Sequence, residues 1–272
     1  MKAISSFKRW LKARGLSEHS IETYAQAVID FQKLFSTLSE RNVLQWKESL
    51  AVRYKPSSMA ARIKGMNAYL EFSKADIHLS GIRLPRIHHL ENVISMSDYH
   101  RLIRKMSEKD DILTRKWMLL WKTIAMTGMR ISEVRQVRAE HVASGKAQVY
   151  AKGGIYRTIL IPKRLCHEIQ SYLSDIGQTE GYVFGKTSDK PYAAGTIEAK
   201  LHYYGRLYHI PSEVCHPHSL RHLFGKGFMS QKGADITMLA DLLGHASIET
   251  TRIYTRRSMD EQQEALDKIV TW

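Results

Sequence analysis

Residues 218–254 read HSLRHLFGKGFMSQKGADITMLADLLGHASIETTRIY, and this stretch carries more chemical information than any other part of the sequence. It contains a His-x-x-Arg pair, a further histidine behind Leu-Leu-Gly, and a tyrosine at its end. Upstream, one arginine lies within Thr-Gly-Met-Arg-Ile-Ser-Glu, and one lysine opens Lys-Gly-Gly. Together these motifs supply six candidate functional residues: Arg130, Lys152, His218, Arg221, His245 and Tyr254.

The residue types in this set suit the cleavage of a phosphodiester by side chains alone. Arginine stays charged and can bond two phosphate oxygens at once, which is the role that we predict for Arg130 and Arg221. Tyr254 can attack the phosphorus if a base accepts its proton, because a tyrosine hydroxyl is mostly protonated at neutral pH. We expect His218 to accept that proton.

The other two candidates complete the balance of protons and charge. Lys152, at the tip of a predicted hairpin, is expected to protonate the departing 5′ oxygen, and His245 to donate a hydrogen bond to a non-bridging oxygen. A covalent phosphotyrosine would conserve the energy of the broken bond, so that strands are rejoined without ATP. The sequence has no Walker-type phosphate loop and no carboxylate cluster typical of two-metal nucleases, so we predict no cofactor.

Taken one at a time, these residues also have ordinary structural explanations. A single arginine is usually exposed, Lys-Gly-Gly is a common turn, and a single tyrosine is often half buried. Cys215, His216 and His218 are close in sequence, but Ser219 stands where a zinc-protease helix would carry glutamate, so we expect no metal site. The prediction therefore rests on the ordered combination.

The net charge and its distribution along the chain indicate what kind of molecule the protein binds. The 272 residues carry a formal net charge of +14. Lys and Arg outnumber Asp and Glu by 15 to 8 before residue 96 and by 26 to 19 after it, so each part carries +7. An excess spread in this way favours nucleic acid and excludes a basic tail on a neutral body. Two cysteines, no signal-peptide core and no membrane-length apolar run predict a cytoplasmic protein.

Hydrophobic spacing predicts a mainly α fold with one small antiparallel β-sheet. In residues 1–80, helices are predicted from Ile21, around Trp46 and after Pro56, the last capped by Ser57 or Ser58. Strands are predicted at 147–150 and 156–161, joined through a glycine pair. Further helices are predicted from about Ser97, from about Arg115, and over 131–137, 165–173, 196–208, 219–232, 236–243 and 258–270.

The ordered set resembles the tyrosine recombinase (phage-type integrase) family, and in particular its compact Xer-like or transposon-encoded members. The family order of Arg, Lys, His-x-x-Arg, His or Trp, and Tyr is filled at every place. The framing residues Thr127-Gly128 and Leu242-Leu243-Gly244 match as well, and Gly15-Leu16-Ser17 is similar to the start of the family's N-terminal domain. Glu133 resembles an acidic residue that supports the family's active site.

The resemblance implies both an architecture and an activity. The architecture is a helical core-binding (SAM-like) DNA-binding domain at residues 1–82, a linker at 83–95 and an α+β catalytic domain at 96–272. The activity is site-specific DNA recombination, in which strands are cleaved and rejoined through a 3′-phosphotyrosine intermediate and a Holliday junction, without metal or ATP. The implied partners are double-stranded DNA with an inverted-repeat recombination site and a homotetramer on two DNA sites, with no membrane; the need for an accessory protein stays open.

Two other functions compete with this prediction. A type IB topoisomerase-like enzyme would use similar residues to nick and reseal one duplex, but the compact helical N-terminal region favours recombination. A DNA-binding protein without catalysis would not need the complete residue set. The sequence also leaves open whether a last helix at 259–270 packs on its own domain or on a neighbouring protomer.

Overall fold

The computed structural model of the chain describes residues 2–83, 90, 92–151, 154–245, 247–255, 263, 266–268 and 270. The chain forms two compact units, residues 1–86 and residues 87–272. Among the described residues, no helix combines the length and the apolar character that crossing a bilayer requires. The mainly helical fold with a small antiparallel sheet that the sequence predicts is confirmed.

The first unit is a small bundle of helices. Ser17 and Ser39 each accept a hydrogen bond from the backbone N–H three residues further on, and these bonds fix where two of the helices begin. The rings of Phe31 and Trp46 meet in its apolar core. Its helices are α1 (Lys2–Ala13), α2 (Glu18–Leu34), α3 (Glu40–Arg53) and α4 (Pro56–Phe72).

Helix α1 was not among the predicted elements. Phe7 and Leu11, one turn apart, are nevertheless buried against α2 and α4, so the helix belongs to the bundle. The signal was present in the spacing of Ile4, Phe7 and Leu11, which puts apolar residues on one helical face.

The start of α4 differs from the prediction. Pro56 is itself the first helical residue, and Lys55 precedes it without any side-chain cap, so the predicted cap at Ser57 or Ser58 is wrong. Proline is favoured at this position because its missing N–H would have no helical partner there.

The second unit is built around one buried helix, α6. This helix packs against α5, α9 and α11 and buries Trp117, Trp121 and Ile124. It ends, as predicted, at Gly128, whose positive φ of 66° closes the last turn. The helices of this unit are α5 (Met96–Ser107), α6 (Ile112–Thr127), α7 (Ile131–Val134), α8 (Ala139–Ser144), α9 (Lys163–Asp175), α10 (Ala194–Leu207), α11 (Pro217–Met229) and α12 (Ile236–Leu243).

Two antiparallel ribbons accompany these helices. Strands β1 (Lys146–Tyr150) and β2 (Tyr156–Leu160) pair from Lys146↔Leu160 to Tyr150↔Tyr156, close to the predicted hairpin. A second ribbon, β3 (Gly185–Thr187) with β4 (Lys190–Pro191), contradicts the prediction of a single sheet. Its strands are too short for an alternating pattern to show in the sequence.

The remaining predicted helices agree with the structure to different degrees. Helix α12 has the predicted bounds, whereas α11 begins at Pro217 rather than Ser219, and α8 was not predicted. Most of the helix predicted at 258–270 lies outside the described residues, although Gln263 and residues 266–268 are helical.

Candidate active site

The C-terminal end of α12 is the point where three arginines of the second unit meet. Carbonyls in the last turn of a helix lack partners within the helix, and here three successive ones each accept a hydrogen bond from an arginine. The negative end of the helix dipole adds to this attraction, so three cations gather at one point. The pairs are Arg157 with Leu242 O (2.9 Å), Arg221 with Leu243 O (2.9 Å) and Arg130 with Gly244 O (3.1 Å).

Glu133 holds two of these arginines in place. It is fully buried and accepts bonds from Nε and Nη2 of Arg157 (3.0 and 2.9 Å) and from Nη1 of Arg130 (3.0 Å). It also caps α7 by accepting from the Arg130 backbone N–H at 2.7 Å. Burial alone would raise the pKa of Glu133, but the bonds from Arg157 and Arg130 outweigh it and lower the pKa.

Arg221 is a buried cation without a carboxylate partner among the described residues. Only 1% of it is exposed, and it donates to Gly128 O, Leu243 O and Nε2 of His245, while its buried Nε bonds to nothing in the described part of the chain. Burial, followed by the nearby charge of Arg130, lowers the pKa of Arg221 to about 10. A buried charge is costly without a counter-ion, so this position is prepared for an anion.

The bonds of His245 determine which of its nitrogens carries the proton. A guanidinium can only donate, so Nε2 accepts from Arg221 at 2.9 Å, and Nδ1–H then donates to the Thr251 hydroxyl at 2.7 Å. Burial, followed by the charges of Arg221 and Arg130, lowers the pKa of His245 to about 4. The predicted donation to a phosphate oxygen therefore requires a proton to move onto Nε2.

Tyr254 lies in a short 3-10 turn at Arg252–Tyr254, with its ring packed between α11 and α12. Its hydroxyl lies 2.9 Å from Nδ1 of His222. Burial raises the pKa of Tyr254, and Arg221 and Arg130 oppose that rise because they favour the phenolate. The predicted nucleophile is thus next to the buried cation Arg221.

His218 lies at the rim rather than beside the tyrosine. It is exposed and, with Arg130, Ser132 and Glu198, lines a depression of about 250 Å³. The residue is exposed overall, but the protein around its ring desolvates it in part, and this, followed by the charge of Arg221, lowers the pKa of His218 to about 4. The hydrogen bond to the Tyr254 hydroxyl, which we expected from His218, belongs to His222 instead.

Lys152 and Gly153 lie outside the described residues, so the structure does not test the predicted position of this lysine. The base of the hairpin is described. Gln136 accepts from the Tyr150 N–H at 2.8 Å and donates to Tyr150 O at 2.9 Å, which ties β1 to the end of α7. Gly154, with φ at 83°, supplies the positive φ expected of the turn.

The structure thus joins Arg130, Arg221, His245 and Tyr254 in one site, with His218 at its rim.

Sequence analysis missed Arg157 and the tyrosine contact of His222. Arg157 stands in an ordinary strand pattern, and only its bonds to Glu133 and Leu242 reveal its place. His222 adjoins Arg221 in the quoted motif, one turn after His218, and no spacing rule links it to the tyrosine. The described residues contain no group of three His, Cys, Asp or Glu placed to hold a metal ion.

Comparisons with known proteins identify relatives over the whole chain. The sequence is similar to tyrosine recombinase XerA of Pyrococcus furiosus, with 29% identity over 273 residues that cover 97% of this chain and 93% of XerA. It is also similar to tyrosine recombinase XerD of Rickettsia bellii, with 28% identity over 98% of this chain and 97% of the relative.

A solved structure shares the fold. The XerH site-specific recombinase bound to a palindromic difH substrate superposes with a TM-score of 0.76 at 18% identity, covering 94% of this chain and 81% of XerH. The model of the phage integrase family matches residues 92–261, which is more than half of the sequence. The chain therefore belongs to the phage integrase family and is a site-specific tyrosine recombinase.

Proposed function

We propose that this recombinase cleaves and rejoins double-stranded DNA through a 3′-phosphotyrosine at Tyr254, using neither a metal nor ATP. The observation that carries the proposal is that Tyr254, His245 and Arg221 form one cluster. The rings of Tyr254 and His245 stack with centroids 6.5 Å apart, and His245 bonds to Arg221 at 2.9 Å. Arg221 is a buried cation that lacks a carboxylate partner among the described residues. A scissile phosphate would supply the missing anion and would place its phosphorus within reach of the tyrosine.

The two arginines act on the phosphate itself in this proposal. Arg130 is about a quarter exposed and reaches the depression at the rim, whereas Arg221 approaches from the buried side. Glu133 and the end of α12 hold Arg130 in position before DNA binds. The side chain therefore needs little reorganisation when charge builds up on the phosphate oxygens. His218 and His245 donate further hydrogen bonds to the same two non-bridging oxygens, His245 after a proton has moved onto its Nε2.

Lys152 protonates the 5′ oxygen that leaves, a role that follows from its place in the family order. A leaving alkoxide must gain a proton for the reaction to proceed, and a lysine ammonium can supply it. Residues 1–82 would then bind the DNA core, residues 83–95 would act as the linker, and residues 96–272 would carry out the catalysis.

In the last part of the proposal, four protomers assemble on two inverted-repeat sites, and the DNA strands are exchanged through a Holliday junction. The lambda integrase that resembles this chain in fold was solved as a tetramer bound to a Holliday junction. An apolar groove of about 310 Å³ between α5, α6 and α11, lined by Met126, Phe224 and Phe228 among others, suits a neighbour's last helix. Leu266 and Val270 near the C-terminus expose the apolar side chains that could fill it.

Covalent trapping tests the chemistry. Protein would be incubated in EDTA with a library of nicked genomic DNA, and protein-linked DNA would be recovered under denaturing conditions and sequenced. We expect adducts at one recurring inverted-repeat site and none with Tyr254→Phe, which removes only the hydroxyl and should still bind DNA. Adducts that persist in Tyr254→Phe would place the nucleophile elsewhere, and adducts at scattered sequences would indicate a topoisomerase.

A further inference from the structure

The partner of the Tyr254 hydroxyl is His222, one turn beyond His218 on α11. The hydroxyl oxygen and Nδ1 of His222 are 2.9 Å apart. The rings of His218 and His222 meet edge to face, with centroids 4.3 Å apart, so His222 lies between the rim histidine and the tyrosine. A proton that leaves Tyr254 along its existing hydrogen bond arrives at His222.

A second contact, independent of the histidine, fixes the tyrosine ring. The ring rests on the backbone of Gly225, where an added Cβ would lie 2.4 Å from Cε1 and 2.5 Å from Cδ1 of Tyr254. Leu239 and Leu243 enclose it from α12. A ring packed in this way cannot swing aside easily, so the hydroxyl is held against His222 by its surroundings.

A neutral imidazole at His222 is able to accept the proton of the Tyr254 hydroxyl. A hydroxyl that donates to Nδ1 requires a neutral imidazole with its proton on Nε2. Burial, followed by nearby cationic and polar groups, lowers the pKa of His222 to about 3, so that the ring is neutral at pH 7. The groups that face it are His218, Arg221, His216, His245 and the Tyr254 hydroxyl.

We propose that His222 is a catalytic residue that takes the proton from Tyr254 during strand cleavage and returns it during rejoining. The inference rests on the proposed function, in which Tyr254 is the nucleophile. In cleavage, the bond from Tyr254 Oη to phosphorus forms and the P–O5′ bond breaks; the hydroxyl proton passes to Nδ1 of His222, and Lys152 protonates the 5′ oxygen. In rejoining, the 5′ hydroxyl attacks phosphorus and gives its proton to Lys152, while His222 reprotonates the departing tyrosyl oxygen.

A bound phosphate would adapt His222 to both directions of this exchange. The negative charge of a bound phosphate favours the protonated ring, so His222 becomes a better base when substrate is present. Once protonated it is a ready acid, which helps the tyrosine to leave again. Arg221 stabilises the phenolate that forms in between.

Kinetics on matched variants test the inference. His222→Asn keeps an acceptor oxygen near the position of Nδ1 but cannot hold a proton, and His222→Leu removes both functions. On the nicked duplex recovered by trapping, we expect each to slow adduct formation by on the order of 10²-fold, with DNA affinity unchanged. The His222→Asn rate should then rise with pH, because hydroxide replaces the imidazole.

Chemical rescue separates the two histidines. A difluorotyrosine at position 254 is more acidic than tyrosine and has less need of a base. It should restore most of the rate in His222→Asn but not in His218→Asn, where a phosphate contact has been lost instead. Rescue of His218→Asn alone, or an unchanged rate in both His222 variants, would overturn the assignment.

A DNA-free measurement keeps the inference testable even if no adduct is found. In ¹⁵N NMR of the whole protein, His222 should show the tautomer protonated on Nε2, and Tyr254→Phe should shift its Nδ1 resonance while leaving that of His218 in place. A shift confined to His218 would refute the role of His222. If the proposed function fails instead, the wild-type protein forms no adduct with DNA, while these NMR signatures of His222 remain.

Discussion

Glu133 shows how a single buried carboxylate organises the charges around it. It bonds to Arg130 and Arg157, and these two arginines also bond to the end of α12. Breaking a buried ion pair by removing one partner is costly, because the other charge stays buried. Glu133 therefore contributes to folding and to the position of Arg130 together.

We expect Glu133→Gln to lower the free energy of unfolding by about 3–5 kcal/mol at pH 7. Because the folded pKa of Glu133 is lowered, its stabilisation is complete above the ordinary glutamate pKa of about 4.3 and is lost as the pH falls through the folded value. Melting curves from pH 7 to 3 should show this loss in the wild type and a smaller one in the variant. Glu140→Gln is the control, since the exposed pair of Glu140 with Arg138 should be worth less than about 1 kcal/mol. Equal effects at both positions would contradict this account.

At the scale of elements, α11 and α12 meet at the site, and a glycine on each lets a functional side chain lie against the backbone. Gly244 ends α12 with φ at 63°, and a Cβ there would lie 2.6 Å from Nη1 of Arg157. Gly225 on α11 leaves room for the Tyr254 ring, because it has no Cβ. The geometry of the nucleophile is therefore a property of two packed helices as much as of Tyr254.

Gly225→Ala tests this packing. The added methyl overlaps rigid ring carbons, so we expect a loss of about 1–3 kcal/mol in the free energy of unfolding and slower adduct formation. Gly227→Ala on the same helix is the matched control, because the nearest atom to its Cβ, in Met96, is 4.0 Å away. The control should be neutral or gain up to about 1 kcal/mol through helix propensity. Equal stability and equal rates in the two variants would show that the ring does not depend on Gly225.

At the scale of the whole molecule, the charge of +14 is divided equally before and after residue 96. Proteins that neutralise phosphates release condensed counterions from DNA, so affinity falls steeply with salt. We expect affinity for the duplex to fall by about 10³-fold or more between 50 and 200 mM salt, as measured by fluorescence anisotropy. Tyr254→Phe should follow the same slope, because the phosphate contacts persist; a flat dependence would contradict a broad basic surface.

The sequence predicted those features that depend on local pattern and ordered motifs. The bounds of α12, the end of α6 at Gly128 and the hairpin of β1 and β2 follow from spacing and turn residues. The order of the family's characteristic residue types along the sequence implied that Arg130, Arg221 and Tyr254 share one site. The partner of a tyrosine hydroxyl depends on side-chain packing between distant segments, so the contact with His222 was not predictable. Neither was Arg157, whose bonds cross from β2 to α7 and α12.

The central claim, that Tyr254 attacks DNA in a site built around Arg221, is tested most directly by mass spectrometry of the trapped adduct. Digestion with protease and nuclease should leave a nucleotide on the peptide that contains Tyr254, joined through its 3′ phosphate to the tyrosine oxygen. A nucleotide joined through a 5′ phosphate, or attached to another residue, would contradict the claim.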